Sequence, residues 1–208
     1  MKHTFVICAY GESEYLEECI LSLKNQKSRS LIIMETSTPT GHISSLAEKY
    51  EIPLYINPHG GITRDWNFGL SKINTKYATV AHQDDVYKPE YGQKILEALE
   101  KSPKALIAFS DYGEIRAGHK VTDTRVLKIK RLMLLPLRIK AFRGCKAVRR
   151  LILSMGDPIG CPAVSFNLER VDSPVFKDTF RCCGDWEAWE ALSKRAGDFL
   201  YVPEPLMY

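Results

Sequence analysis

Two adjacent carboxylates are the most prominent chemical feature of the sequence. Asp84 and Asp85 follow His82 and Gln83 and come directly after the apolar run 77–81. Adjacent carboxylates at a strand end repel each other unless a cation or hydrogen-bond donors compensate their charge. Mg²⁺ or Mn²⁺ would do so through oxygen ligands and leave positions for phosphate oxygens. On spacing alone, a turn of solvated acids explains the pair equally well.

Other polar and aromatic residues stand at the ends of predicted strands, namely Tyr10, Glu35 and Asp111. The sequence has no GxGxxG after its first strand, no GxxxxGK[ST] and no GxSxG. It therefore lacks the motifs of dinucleotide dehydrogenases, P-loop NTPases and serine hydrolases. A metal phosphohydrolase remains an alternative, although no H-x-H spacing supports it. Its ligands would be His59, His82, Asp84, Asp85 and Asp111.

The elements that position these residues follow from alternating apolar runs and helix-period segments. The pattern predicts strands over 4–9, 31–35, 53–56, 77–81 and 105–110, and helices after residue 13 and over 41–50, 64–73 and 89–101. Such alternation predicts an α/β fold with a mostly parallel, mixed central sheet and helices on both faces. Ligands of such sheets bind beyond the carboxyl ends of the strands.

The pattern becomes irregular after residue 113, so we divide the chain into halves 1–113 and 114–208 of one domain. The second half is predicted to contain a helix near 145–155, a strand over 162–166 and a helix over 186–196. Asp185 stands just before the helix predicted over 186–196. An acid at such a position commonly serves only as a helix N-cap.

Basic charge is confined to one segment, residues 116–150. This basic segment holds twelve lysines or arginines and one acid, a net charge of +11 within a chain whose net charge is +4. It also contains the longest apolar run, 132–137, and cations flanking bulky apolar residues are typical of an anionic membrane surface. A solvated helical face explains the segment equally well. Nucleic acid is disfavoured because no binding motif accompanies the charge.

The composition, 45% hydrophobic and 26% charged over 208 residues, is that of an ordinary globular protein. No apolar stretch is long enough for a spanning helix or an export signal, and the six cysteines form no CxxC pair. We therefore predict reduced thiols and a cytoplasmic location, with peripheral attachment at the inner face of the membrane as an option.

Four blocks of sequence, in the same order along the chain, resemble family 2 glycosyltransferases. The family forms are VVIPTYN followed by YLxxxLxSLxxQ, a glycine-to-Asn-x-Gly segment, QDDxW and ED-W-x-x-W. Their counterparts are 5–10 with 15–26, 61–70, 83–87 and 184–189. The resemblance implies a GT-A fold and transfer of a sugar from a nucleotide-diphosphate sugar, most favourably a UDP-sugar. It also implies a last strand near 203–208, a saccharide or lipid-linked acceptor, and a role in cell-surface polysaccharide or glycolipid assembly.

The same resemblance assigns the donor-binding residues to the half 1–113. Ala9 and Tyr10 would flank the nucleobase, and Glu35 would accept a hydrogen bond from it, although the family usually has Asp there. Arg64 would approach the diphosphate, as an alternative to a surface arginine. Asp84 would contact the ribose or the sugar.

The remaining assignments concern the metal and the reaction. Asp85 would bind Mn²⁺ or Mg²⁺ at the diphosphate. In the acceptor-side half, Asp185 would be the general base, and Trp186 would complete the set of donor-binding residues by stacking on the sugar. One base with no second carboxylate nucleophile predicts inversion at the anomeric carbon. A non-catalytic membrane- or partner-binding domain that keeps the transferase fold is a further alternative.

Overall fold

A computed structural model describes residues 1–180 and 182–208. The first half contains β1 (His3–Ala9), α1 (Leu16–Lys24), β2 (Leu31–Thr36), α2 (Gly41–Lys49), β3 (Leu54–Ile56), α3 (Ile62–Ser71), β4 (Tyr77–His82), α4 (Tyr91–Glu100) and β5 (Ala105–Asp111). The second half contains β6 (Glu114–Arg116), β7 (His119–Val121), α5 (Arg125–Leu134), α6 (Lys140–Arg143), α7 (Lys146–Ser154), β8 (Val164–Asn167), α8 (Gly184–Ser193) and β9 (Asp198–Pro205). Short 3₁₀ turns cover Leu135–Arg138 and Cys161–Ala163.

Seven of these strands form one mixed sheet in the order β3-β2-β1-β4-β8-β5-β9. β8 runs antiparallel to β4 and β5, whereas the other neighbours are parallel. Both halves of the chain therefore contribute strands to this sheet. The predicted α/β architecture with a mostly parallel central sheet is confirmed.

Helices cover both faces of the sheet. Successive residues of its inner strands are therefore almost all buried. In β1, Phe5 and Ile7 pack on the face covered by α1, α2 and α4, while Val6 packs with Trp66 of α3 and Trp189 of α8 on the other. Both clusters consist of side chains removed from water, and this burial is the main stabilising contribution to such a fold.

Element boundaries in the second half differ from those predicted. The helix predicted over 186–196 begins at Gly184 and ends at Ser193, so Asp185 lies within its first turn and is not the N-cap. The strand expected near 203–208 is β9, which starts at Asp198, and the basic segment contains three helices where the sequence indicated one. Among the described residues, no helix is long and apolar enough to cross a membrane.

Gly184 explains why α8 lies so close to α3. A Cβ atom at this position would come 2.4 Å from Thr63 Cγ2, too close for any side chain. Family 2 sequences usually have Glu here, and the sequence alone gives no reason for the change to glycine. The structure shows that Thr63 occupies the space into which that side chain would project.

Candidate active site

A cleft of about 790 Å³ opens where β1, β2 and β4 end. Parallel register places Cys8 of β1 beside both Glu35 of β2 and His82 of β4, so the polar ends of three neighbouring strands meet. The cleft thus brings together four of the predicted donor-binding residues. Those residues, among the lining side chains, are Ala9, Tyr10, Glu35 and Asp84.

The backbone of Tyr10 is held in place by the side chain of Gln83. The Gln83 Oε1 accepts from Tyr10 N at 2.9 Å, and Gln83 Nε2 donates to Tyr10 O at 3.0 Å. Tyr10 is 65% exposed at the cleft, whereas Ala9 is buried. An anchored backbone with a free ring suits stacking on a planar ligand.

Glu35 is completely buried in the wall of the cleft, and neither of its carboxyl oxygens has a hydrogen-bond partner. Burial, helped by the charge of Asp65, raises the pKa of Glu35 to about 8, and the Cys8 thiol opposes the shift. A buried polar group without a partner is costly and rare in folded proteins. Glu35 is therefore a group for which a ligand would supply the missing partner.

Asp84 is exposed at the cleft, while Asp85 is mostly enclosed. Burial, and then the neighbouring charge of Asp84, raise the pKa of Asp85 well above its usual value. Its Oδ2 is buried without a hydrogen-bond partner and lies 3.8 Å from His82 Nδ1. Burial lowers the pKa of His82, whose ring stacks on Trp66 at 5.2 Å, so the imidazole is neutral at pH 7 and leaves Asp85 uncompensated.

The predicted general base, Asp185, lies in the same electrostatic environment as the metal motif. Burial, and then the charges of Asp185, Asp85 and Asp157, raise the pKa of the Cys161 thiol, so all three carboxylates lie within electrostatic range of it. The Oδ1 of Asp185 accepts from Trp186 N at 2.9 Å. The fold therefore places residues 85 and 185 within electrostatic range of the same thiol, although they are distant in sequence.

Asp157 is a partly buried acid near Asp185 that sequence reasoning missed. Burial, and then the charge of Asp185, raise the pKa of Asp157 to about 7. It stands between Gly156 and Pro158, a composition that signals only a turn. No local motif in the sequence distinguishes it from an ordinary surface acid.

Two predicted donor-binding residues have protein partners of their own. Arg64 pairs with Asp178, with Nε 2.7 Å from Oδ2, on the exposed side of α3. The indole of Trp186 donates to Leu153 O at 3.0 Å and borders a different, apolar cavity with Phe180. These two side chains are therefore not brought into the cleft lined by Tyr10 and Glu35.

The ligand set of the phosphohydrolase alternative does not assemble. Asp111 Oδ1 accepts from Tyr201 OH at 2.6 Å, and its Oδ2 accepts from Arg131 Nε at 3.1 Å. Both carboxyl oxygens of Asp111 therefore accept hydrogen bonds from the protein, and Asp111 has a structural role. In residues 1–180 and 182–208, no group of three or more His, Cys, Asp or Glu side chains is arranged to hold a metal ion.

Comparison with known proteins bears out the resemblance noted in the sequence. An uncharacterized glycosyltransferase of Haemophilus influenzae is 29% identical over 117 residues, which is 53% of this chain and 36% of that protein. A crystal structure of S. aureus TarS superposes with a TM-score of 0.69 at 12% identity, covering 100% of this chain and 60% of the other. Glucosyl-3-phosphoglycerate synthase of Mycobacterium tuberculosis gives 0.66 at 14% identity, covering 99% and 71%.

These likenesses differ in what they show. The two structural neighbours share the GT-A fold with this chain, which spans only part of TarS and matches about a third of the Haemophilus protein. The model of the family described as glycosyl transferase family 2 matches residues 4–153, well over half of the chain. With the strand-end cleft and the Asp84-Asp85 motif in place, the chain belongs to the family 2 glycosyltransferases.

Proposed function

We propose that this chain transfers a sugar from a nucleotide-diphosphate sugar, most favourably a UDP-sugar, to an acceptor hydroxyl. The observation that carries the proposal is the cleft, whose wall contains Glu35 with two buried oxygens that have no partner, together with Asp84, the neighbour of the mostly enclosed Asp85. In this proposal Glu35 meets the base, and the Asp84-Asp85 pair, the acidic end of the site, lies at the diphosphate with its cation. TarS has been crystallised with UDP-GlcNAc and with UDP, and the M. tuberculosis synthase with UDP.

The residues at the acidic end fit a divalent cation. The Asp85 carboxylate has an unsatisfied buried oxygen, and oxygen ligands of this kind suit Mg²⁺ and Mn²⁺. When bound, the cation supplies positive charge that stabilises the leaving diphosphate. A cation that is shared between one carboxylate and the phosphate oxygens also does not require three protein ligands. Asp84, exposed at the cleft, is left to contact the ribose or the sugar.

Asp185 is proposed as the general base. Sugar transfer requires that the acceptor hydroxyl loses its proton while it attacks the anomeric carbon, and in this proposal the Asp185 carboxylate accepts that proton. Attack from the side opposite the diphosphate inverts the configuration. An α-linked donor should thus give a β-linked product by NMR, and an α-linked product would refute the single-displacement route.

Binding and hydrolysis of nucleotide sugars test the donor assignment. Wild-type protein should bind UDP in a Mn²⁺-dependent way by calorimetry and slowly hydrolyse at least one UDP-sugar of a panel. Asp85→Asn should abolish the Mn²⁺ dependence and keep the fold, because a neutral amide cannot balance the cation and phosphate charges. Asp123→Asn, the same change at an exposed acid, is the matched control. Unchanged affinity in Asp85→Asn would contradict the metal role.

The acceptor side is proposed to face an anionic membrane from within the cell. The helices of the basic segment expose apolar side chains between exposed cations. The apolar ones are Val126, Ile129, Leu132, Leu135, Ile139 and Phe142. Such a surface suits a lipid-linked or membrane-borne saccharide acceptor, as in the assembly of cell-surface polysaccharide or glycolipid.

A further inference from the structure

The residues packed around Glu35 determine its charge state, which its position in the sequence does not reveal. Its side chain lies on β2 with Cys8 of β1 on one side and Tyr55, its register partner in β3, on the other. From α3, Gly69 packs so tightly that an added Cβ would come 3.0 Å from Glu35 Cγ. No cation is among the groups that shift its pKa.

The charged group that faces Glu35 is another acid, Asp65 of α3. Asp65 is itself buried, and its two oxygens are occupied by Asn57 Nδ2 at 2.8 Å and Ser37 Oγ at 2.9 Å. These donors hold the Asp65 carboxylate in one position, from which it raises the pKa of Glu35. Burial and a neighbouring like charge both disfavour a second negative charge in this wall.

We infer that Glu35 meets the nucleobase as a neutral carboxylic acid, donating one hydrogen bond and accepting another. This inference rests on the proposed function and specifies which base the donor carries. A neutral acid complements an edge with one N–H donor beside one acceptor, such as the N–H and carbonyl oxygen of uracil. An ionised carboxylate only accepts, and would favour an edge with two donors such as that of guanine.

The pKa of Glu35, about 8, agrees with this assignment because about nine-tenths of the side chains would be protonated at pH 7. If only the protonated form binds, the apparent affinity follows the protonated fraction. Affinity for UDP should then fall as the pH rises through 8, approaching about tenfold per pH unit above it. The family-type role, a carboxylate that accepts from the base, predicts the opposite trend.

Calorimetric titration of UDP between pH 6.5 and pH 9 tests the inference. Glu35→Gln places an amide N–H where the acid O–H would be, so its hydrogen-bonding pattern no longer depends on pH. Any pH dependence that comes from the titration of UDP itself affects both proteins equally, so the variant also corrects for it. Wild type and Glu35→Gln should agree within about threefold at pH 6.5, and wild type should bind about tenfold more weakly than the variant at pH 9.

Glu48→Gln, the same change on the exposed side of α2, should follow wild type at every pH. If wild-type affinity relative to Glu35→Gln stays constant or rises with pH, Glu35 binds as a carboxylate and the inference fails while the donor assignment stands. If neither wild type nor Glu48→Gln binds UDP at any pH with Mn²⁺ present, the donor assignment and the inference fail together.

Discussion

The region of the strand-end cleft and the basic segment differ in how they accommodate charged side chains. Glu35 in the wall of the cleft and Asp85 next to Asp84 are enclosed, and burial together with neighbouring carboxylates raises their pKa values. In the basic segment, most cations lie at the surface, where water solvates them. Burying an unpaired charge costs several kcal/mol, whereas exposing one costs little. The cleft therefore carries an energetic cost that a ligand can relieve, while the basic segment is stable without one.

The buried cations of the basic segment show the difference at single residues. Arg149 is almost fully buried, and its guanidinium donates to the carbonyl oxygens of Ser193, Arg195 and Gly197. Arg131 is similarly tied to Asp111. The terminal nitrogens of Arg149 thus have protein acceptors, although its buried Nε has none. Glu35 differs because neither of its carboxyl oxygens has a partner, which suits a side chain that meets a ligand.

The largest effect should come from removing the proposed base. Asp185→Asn should lower turnover by roughly 10²-fold or more, the scale expected for a lost general base. UDP affinity should change by less than about twofold, since the carboxylate acts on the acceptor hydroxyl. Steady-state turnover and calorimetry on the same preparations measure both quantities, with Asp123→Asn as the control. A parallel loss of UDP affinity would mark Asp185 as a support for the cleft or for the first turn of α8.

Substitutions at Arg149 and at its neighbour Arg150 distinguish a structural charge from a surface charge. Arg149→Met keeps much of the side-chain volume but leaves three carbonyl oxygens without their donor, which should cost about 2–5 kcal/mol in the free energy of unfolding. Arg150→Met, at an exposed position of the same helix, should change it by less than about 0.5 kcal/mol. Urea unfolding at pH 7 gives both values. Similar losses in the two variants would contradict the division of the basic segment into inner and outer cations.

Glu35 should make the stability of the protein depend on pH even without a ligand. Glu35 releases its proton near pH 4.5 in the unfolded chain and near pH 8 in the folded one, so the unfolded state binds fewer protons between these values. Glu35 therefore lowers stability progressively as the pH rises through this window. Relative to wild type, Glu35→Gln should gain on the order of a few kcal/mol between pH 5 and pH 8.

Urea unfolding at several pH values would measure this gain, with Glu48→Gln as the exposed control. A difference between wild type and Glu35→Gln that stays constant from pH 5 to pH 8 would show that Glu35 titrates normally. The inference of a neutral acid at the base would then lose its physical basis.

Comparison of the two regions also shows what the sequence could predict. The strands beneath the cleft are apolar runs bounded by turns, so their positions, and those of Glu35 and Asp84 at their ends, followed from the pattern alone. The environment of Glu35 did not, because Asp65 approaches it only through the packing of α3 on β2. Arg149 and Arg150 are likewise indistinguishable by type, and only the packing of α7 on the chain near Gly197 determines which one is buried.

Replacing the exposed cations of the basic segment should produce the smallest effect per residue, a weakening of vesicle binding. Each exposed Lys or Arg facing anionic lipid should add on the order of 1 kcal/mol of attraction, screened over about 10 Å at 0.1 M salt. The fourfold variant with Arg125, Lys128, Arg138 and Lys140 changed to Gln should therefore no longer float with anionic vesicles at low salt. Lys130 and Arg131 are left unchanged because they bond to Tyr112 and Asp111.

A second variant with the same loss of charge controls for net charge. It carries Gln at four exposed lysines outside the basic segment, namely Lys24, Lys49, Lys72 and Lys101. This variant should float almost as wild type does at low salt, and neither protein should float at high salt. Hydrolysis of a soluble UDP-sugar should continue in both variants, because the changed residues lie outside the cleft. If wild type never floats, the exposed apolar and basic side chains of α5 and α6 do not form a membrane-binding surface.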